Sequence, residues 1–303
     1  LATNVFAGAN GIPAPPNPWT GMTMLWTGYD GVEWDLTAGR DGVCMLPGVR
    51  GLTMPSIVHH KSRTASVPGA RWRGSSTEER EVFWPVQLYH DTGSVEWVAR
   101  DRAFWATLQP QRTGTWTVIQ PNGNRRSLTL RFRDDGTQAF SNDPTMAGWT
   151  NYGITLDAEQ PYWEGGTAVT KSWKAGVPLP FFGGGKTVAI SSGMEATKAK
   201  ISNGGDVEAY PVWTLVGPLS AATLSIGSRS ITVGFDIPTG STLTINTSPA
   251  ELTAVMNGVD KIKGMASSDF APVPVGNNLP ITLATVGAGT VTMTFTPLFY
   301  RAW

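Results

Sequence analysis

Residues 210–247 read "YPVWTLVGPLSAATLSIGSRSITVGFDIPTGSTLTINT". Short runs of alternating apolar and polar residues are cut by turns rich in Gly, Pro and Ser. A period of two is the mark of strands with one buried face. The pattern continues on both sides, in "AKISNGG", "LTAVMNG", "LPITLATV" and "TVTMTFTPLFY". From residue 188 onward the chain therefore reads as short strands without a helix, which predicts a β-sandwich.

Upstream the pattern changes. "MTMLWTGYDGVEWDLT" (22–37) alternates around Tyr-Asp-Gly and reads as a hairpin, and "REVFWPVQLYH" (80–90) as a strand of bulky residues. "TGSVEWVARDRAFWATLQP" (92–110) is the one convincing helix. Trp97, Val98, Phe104, Trp105 and Leu108 share a face, Thr92 or Ser94 caps the start, and Pro110 stops the end. Strands follow in "GTWTVIQ" and "RSLTLRFR", across the turn Pro121-Asn122-Gly123, and in "WTNYGITLDAE". The stretch 43–74 has Pro or Gly every few residues, which suits short strands joined by a long loop. Residues 8–20 read as an extended arm, and 165–187 as a boundary. The domains expected are 1–165, mixed β with one helix, and 166–303, pure β.

Composition narrows the function. The 303 residues carry 23 Lys+Arg and 23 Asp+Glu, so no basic field calls for nucleic acid or a membrane surface. Cys44 is alone, which removes a disulfide scaffold. The N-terminus has no basic segment followed by an apolar core, so it is not read as a signal peptide. No apolar run is long enough to span a bilayer.

Chemical motifs are sparse. His59 and His60 are adjacent, so in a strand they point to opposite faces and do not share one ion. They are read as a surface or interface pair. "GGGKT" (183–187) resembles the end of a phosphate loop, but Pro180 stands where its first Gly belongs, and a hinge is expected instead. Glu78-Glu79, Asp134-Asp135 and Asp30/Glu33/Asp35 lie in turn-like contexts where acids face solvent. No G-x-S-x-G elbow occurs. Neither a catalytic set, a metal site nor a cofactor is expected.

Tryptophan is the strongest clue. Ten of the thirteen lie before residue 166, in a half that uses 13 Arg and 1 Lys. Trp84, Trp97 and Trp105 are assigned to the core. Trp together with Arg dominates interface hot spots, and Arg pairs with carboxylates at lower desolvation cost than Lys. This half is therefore expected to make large protein contacts.

The blocks "LPGVRGLTMP", "GARWRG", "REVFWP", "WVARDRAFWATLQPQRTGTWTV", "PNGNRRSLTLRFRDDG" and "GWTNYGITLDAEQPYWEG" resemble, in order, the N-terminal half of siphophage distal tail proteins, also called minor tail proteins. "ISNGGDVEAYPVWTLVGP" and "GAGTVTMTFTPLFYRAW" are similar to the C-terminal half of that family. The resemblance implies a tail-tube-like β-barrel with one helix, then a galectin-like or carbohydrate-module-like β-sandwich. It further implies a homo-hexameric ring at the distal end of a virion's non-contractile tail, assembled from chains made in the host cytoplasm. Its implied partners are the tail tube protein, the tail hub, the tape measure protein and receptor-binding or other minor tail proteins. DNA would pass through the ring without specific binding, and no membrane would be entered. No catalytic residue comes with the family.

Within that frame, Arg71, Trp72 and Arg73 of "GARWRG" and the acids Glu78, Glu79 and Glu81 are expected at the subunit boundary. In a strand the two arginines share one face and Trp72 takes the other. The arginines would pair with acids across the boundary and Trp72 would pack in one core; pairing within one chain is the alternative. A second function stays open, binding of host cell-wall carbohydrate by the C-terminal sandwich. Its candidate aromatics are Trp173, Tyr210, Trp213, Phe270 and Tyr300.

Overall fold

A computed structural model describes residues 18–90, 94–136, 140, 143–174 and 193–303. Most of the expected arm at 8–20, the Thr92 cap and the 183–187 hinge lie outside them. The chain forms two compact units: the first ends at Gly166 and takes back Tyr300–Trp303, and the second is Thr167–Phe299.

The strands of the first unit are β1 (Thr23–Thr27), β2 (Glu33–Asp35), β3 (Val43–Met45), β4 (Ile57–Thr64), β5 (Val67–Thr77), β6 (Arg80–Tyr89), β7 (Thr113–Ile119), β8 (Arg125–Asp134), β9 (Trp149–Ala158) and β10 (Trp163–Gly165). Helix α1 spans Ser94–Ala106, and a four-residue helix α2, Pro144–Ala147, adds a second where one was expected. Asp143 starts α2 by accepting the Thr145 N–H.

The main sheet runs β2-β1-β7-β8-β9-β6-β3, with β10 also on β8. Its two ends meet, because the Met45 N–H donates to the Leu36 carbonyl at 2.6 Å. The sheet is thereby nearly closed into a barrel, which leaves few backbone groups at a free edge. The β7–β8 turn is the Pro121-Asn122-Gly123 turn expected from sequence, with Gly123 at φ 83°.

Alternation places one face of each strand inside the barrel. Met24 and Trp26, Val82, Trp84, Val86 and Leu88, Trp116 and Val118, and Leu128 and Leu130 are all buried. Four tryptophans form a chain of ring contacts: Trp26–Trp84 at 5.2 Å, Trp84–Trp116 at 5.4 Å and Trp116–Trp163 at 5.0 Å. The first two are edge-to-face, the arrangement favoured by ring quadrupoles. Gly114 is required beside them, since a Cβ there would sit 2.2 Å from the Trp26 ring.

Helix α1 packs Trp97 and Phe104 inward, and Leu108 just beyond it is buried too. Trp105 is half-buried, edge-on to Phe132 and Tyr152. Trp97 donates to the Leu88 carbonyl, and Trp26 donates to Thr107 Oγ1 at 2.9 Å.

The second unit holds β11 (Val169–Lys174), β12 (Gly193–Asn203), β13 (Val212–Val216), β14 (Ala221–Ile226), β15 (Arg229–Val233), β16 (Thr242–Asn246), β17 (Thr253–Met256), β18 (Val259–Asp260), β19 (Met265–Ser268), β20 (Gly276–Val286) and β21 (Thr290–Phe295). They make two antiparallel sheets, β11-β21-β13-β16-β17-β18 and β12-β20-β14-β15-β19. Trp213, Leu215, Leu243, Ile245, Val291 and Met293 from one sheet share a core with Leu224, Ile231, Val233, Ile281 and Leu283 from the other. This is the sandwich expected from residues 210–247. Outside, Thr170 meets Thr294 and Ser172 meets Thr292 across the strands, which keeps that face polar.

Candidate functional site: an assembly surface

Strands β4 and β5 form a two-stranded ribbon that joins no other sheet. Of the short strands and long loop expected over 43–74, β3 and the connection 46–56 are present, but residues 57–77 are paired almost throughout. Proline and glycine are tolerated because Pro68, Gly69 and Gly74 sit on a strand with an open edge. No described side chain of the ribbon is buried. The eight residues of β4 at about 3.4 Å each give an arm roughly 27 Å long.

The register sets its two faces. Lys61 pairs with Trp72 and His60 with Gly74, so Arg73 is the extra residue of a bulge. Trp72 donates to His59 Nδ1 at 3.3 Å and is 60% exposed. Arg71 lies opposite Ser62, and Arg73 donates to Ser62 Oγ at 2.9 Å. The two arginines thus stand on one face and Trp72 on the other. His60 bonds Ser76 rather than sharing anything with His59. Among the described residues no group of three His, Cys, Asp or Glu side chains is placed to hold a metal ion.

The acids divide. Glu81 is engaged, 2.7 Å from Arg133 and 3.6 Å from Arg50. Arg133 also reaches Asp157 and Asp134, and the bond to Glu81 leads the interactions that raise its pKa. Glu78 and Glu79 are exposed and have no ion-pair partner among the described residues. The same holds for Arg71 and Arg73, so pairing of these groups within one chain is not observed among the described residues. Trp72 is outside the chain's own core.

Arg80, next to these acids, is instead an internal clamp. Its guanidinium is buried and donates to the carbonyls of Pro161, Gly51, Thr53 and Tyr300. Burial without a carboxylate pulls its pKa down to about 10. The segment Tyr300–Trp303 is fastened further by Ala302 N–H to the Leu52 carbonyl, and by Gln120 and Arg126 side chains to the carbonyls of Ala302 and Arg301. A cleft of about 540 Å³ lies beside it, lined by residues 48–56 with Trp19 and Trp303. Sequence reasoning gave no sign of this clamp; the only cue is an arginine at the start of a strand, in register with its buried apolar face.

The remaining acid clusters make turns. Asp30 accepts from Val32, Asp134 from Gly136, and Asp35 from Thr37 and Ala38. For Asp35 burial pushes the pKa up, but those hydrogen bonds and Arg40 outweigh it.

In the second unit Trp213 is buried, and Trp173 and Phe270 pack against the same core. Tyr210 is half-buried, and Tyr300 belongs to the first unit, its ring 5.8 Å from Tyr162. The five aromatics do not form an exposed stacking platform.

The fold of the whole chain is shared with solved structures. Over 90% of its length the chain superimposes on 98% of the SPP1 Dit (gp 19.1) protein, described as a paradigm of the hub adsorption apparatus in phages infecting Gram-positive hosts, with a TM-score of 0.59 and 19% identity. The chain has the fold of a phage distal tail protein. Chains of the phage P2 baseplate in its activated conformation, with Ca or with Sr, match over 90% of this chain and 97% of theirs, at TM-score 0.52 and 12% identity. No sequence-family model matches, and no curated protein matches. The match in fold spans residues of both the barrel and the sandwich. No described helix is long and apolar enough to cross a membrane.

Proposed function

We propose that this chain is a structural component of a non-contractile phage tail tip. It builds a hexameric ring that joins the tail tube to the tail hub and the receptor-binding apparatus, at the distal end of the virion, from chains made in the host cytoplasm. The channel passes the tape measure protein and then DNA, without specific binding of either sequence or metal. The observation that carries this reading is the match to a hub protein over nearly the full length of both chains. The exposed ribbon of Arg71, Trp72 and Arg73, with Glu78 and Glu79 unpaired nearby, supports a protein-contact role and suits a subunit boundary. A ring with one repeated interface needs two different, complementary patches on every copy.

The test is the copy number of the purified protein by native mass spectrometry, together with negative-stain images. Six-fold rings are expected. A monomer with affinity for cell-wall glycan would instead favour the carbohydrate-binding alternative, and lysis of cell walls in a turbidity assay would overturn a non-enzymatic role.

A further inference from the structure

The arm formed by residues 57–77 is electrically polar along its length. It contains Lys61, Arg63, Arg71 and Arg73 and no carboxylate. Lys61, Arg63 and Arg71 lie tipward of the bulge and Arg73 is the bulged residue itself; the four occupy both faces, Lys61 and Arg63 with Trp72, Arg71 and Arg73 with Ser62. Its root carries the opposite sign. Glu78 and Glu79 are the one pair of adjacent carboxylates among the described residues that has no ion-pair partner in the chain, since Asp134 of the other pair holds Arg133. Outside the arm, the first 165 residues hold ten Lys and Arg against sixteen Asp and Glu.

A lone two-stranded ribbon with no buried side chain is marginal in water, because nothing offsets the entropy of ordering it. No described residue of the chain covers it, and a partner that does must be acidic and offer a pocket for a large aromatic ring. We infer that the partner is a second copy of this chain, and that the basic tip of each arm docks on the Glu78–Glu79 root of the next. This rests on the ring reading above and narrows it. Glu81 is excluded, since Arg133 and Arg50 already occupy it. A length of about 27 Å carries the tip well beyond its own root, and a tip-to-root contact is head-to-tail, the form that closes a ring. Trp72, whose indole N–H donates to His59 Nδ1, is the apolar anchor.

The test uses two charge-reversal variants of the full chain, Arg71→Glu with Arg73→Glu, and Glu78→Arg with Glu79→Arg. Mass is read by light scattering over a concentration series, and folding by circular dichroism. Each variant alone is expected to lose association by about 100-fold or more, as for close charge pairs across an interface. An equimolar mixture of the two is expected to assemble again, because every tip then meets a root of opposite sign in an alternating ring. Only contacts between chains can be rescued by mixing, so persistent monomers in the mixture overturn the proposal. Wild-type-like assembly of either variant overturns it while leaving the ring intact. A wild-type chain that is monomeric at every concentration overturns both. Binding of a 30-base-pair duplex that is lost with the arginines, with assembly unchanged, would reassign the arm to nucleic acid.

Discussion

Replacing Arg80 by Met removes the clamp while keeping most of its aliphatic volume. Four carbonyl oxygens, of Gly51, Thr53, Pro161 and Tyr300, lose a charge-assisted donor. Each such bond is worth about 2 kcal/mol, and the buried guanidinium costs several kcal/mol to desolvate, about 5. The difference predicts a loss of about 3 kcal/mol, concentrated in the first unit. For a unit of this size that lowers the thermal midpoint by about 6–12 °C. Arg80→Lys keeps the charge but not the planar fork, and falls between wild type and Arg80→Met. Urea unfolding followed by tryptophan fluorescence measures the loss, since the tryptophan chain lies in the same barrel. Limited proteolysis measures release of Tyr300–Trp303, which should become cleavable in Arg80→Met before the barrel unfolds. A loss under about 1 kcal/mol, with the tail still protected, would refute the reasoning: it would mean that burial of the cation costs as much as its hydrogen bonds return.

Other outcomes follow from the same structure. Trp84→Ala removes a fully buried ring that touches Trp26 and Trp116, and should cost about 4 kcal/mol or more in a denaturant titration. Thr107→Val strands the indole N–H of Trp26, for a loss of about 1–3 kcal/mol by the same assay. Burial pushes the Asp101 carboxyl above its ordinary value of 3.8, more than its bonds from Tyr152 and Trp105 and the nearby Arg102 pull it down. The folded state then holds that proton more tightly, so stability should fall as pH rises from 3.8 through the raised value; Asp101→Asn should flatten this slope in urea midpoints measured across the window. Assembled rings should show no tight retention of duplex DNA at moderate salt, because the first 165 residues carry 14 basic against 16 acidic side chains; retention on a DNA column that falls steeply with salt would contradict this.

Much of the fold was legible because alternation and turns are local. The β7–β8 hairpin, β6, helix α1 and the strands after residue 193 lie where period and punctuation put them. The ribbon at 57–77 is longer than the short strands expected there for the same reason: Pro and Gly in "VPGARWRG" mark breaks in a buried strand, but not in one open to solvent on its edge. The Arg80 clamp depends on groups far apart in sequence, up to 220 residues in the case of Tyr300. No pattern within one element reports such partners. Of the six residues expected at the boundary, five remain available for contacts between chains. Glu81 was indistinguishable in sequence from Glu78 and Glu79, since only the fold brings Arg133 to it across 52 residues.

The return of Tyr300–Trp303 to the first unit sets an order on synthesis. Ala302 is fully buried in that unit, and the Arg80 guanidinium finds its fourth acceptor only at Tyr300. A ribosome making the chain from its N-terminus delivers β1 to β10 first, then the whole of Thr167–Phe299, and only afterwards these four residues. The barrel therefore waits, one acceptor short, until the sandwich has been translated. A nascent chain cannot present the complete clamp before the sandwich exists, so any assembly that requires the clamped form draws only on molecules that carry both halves.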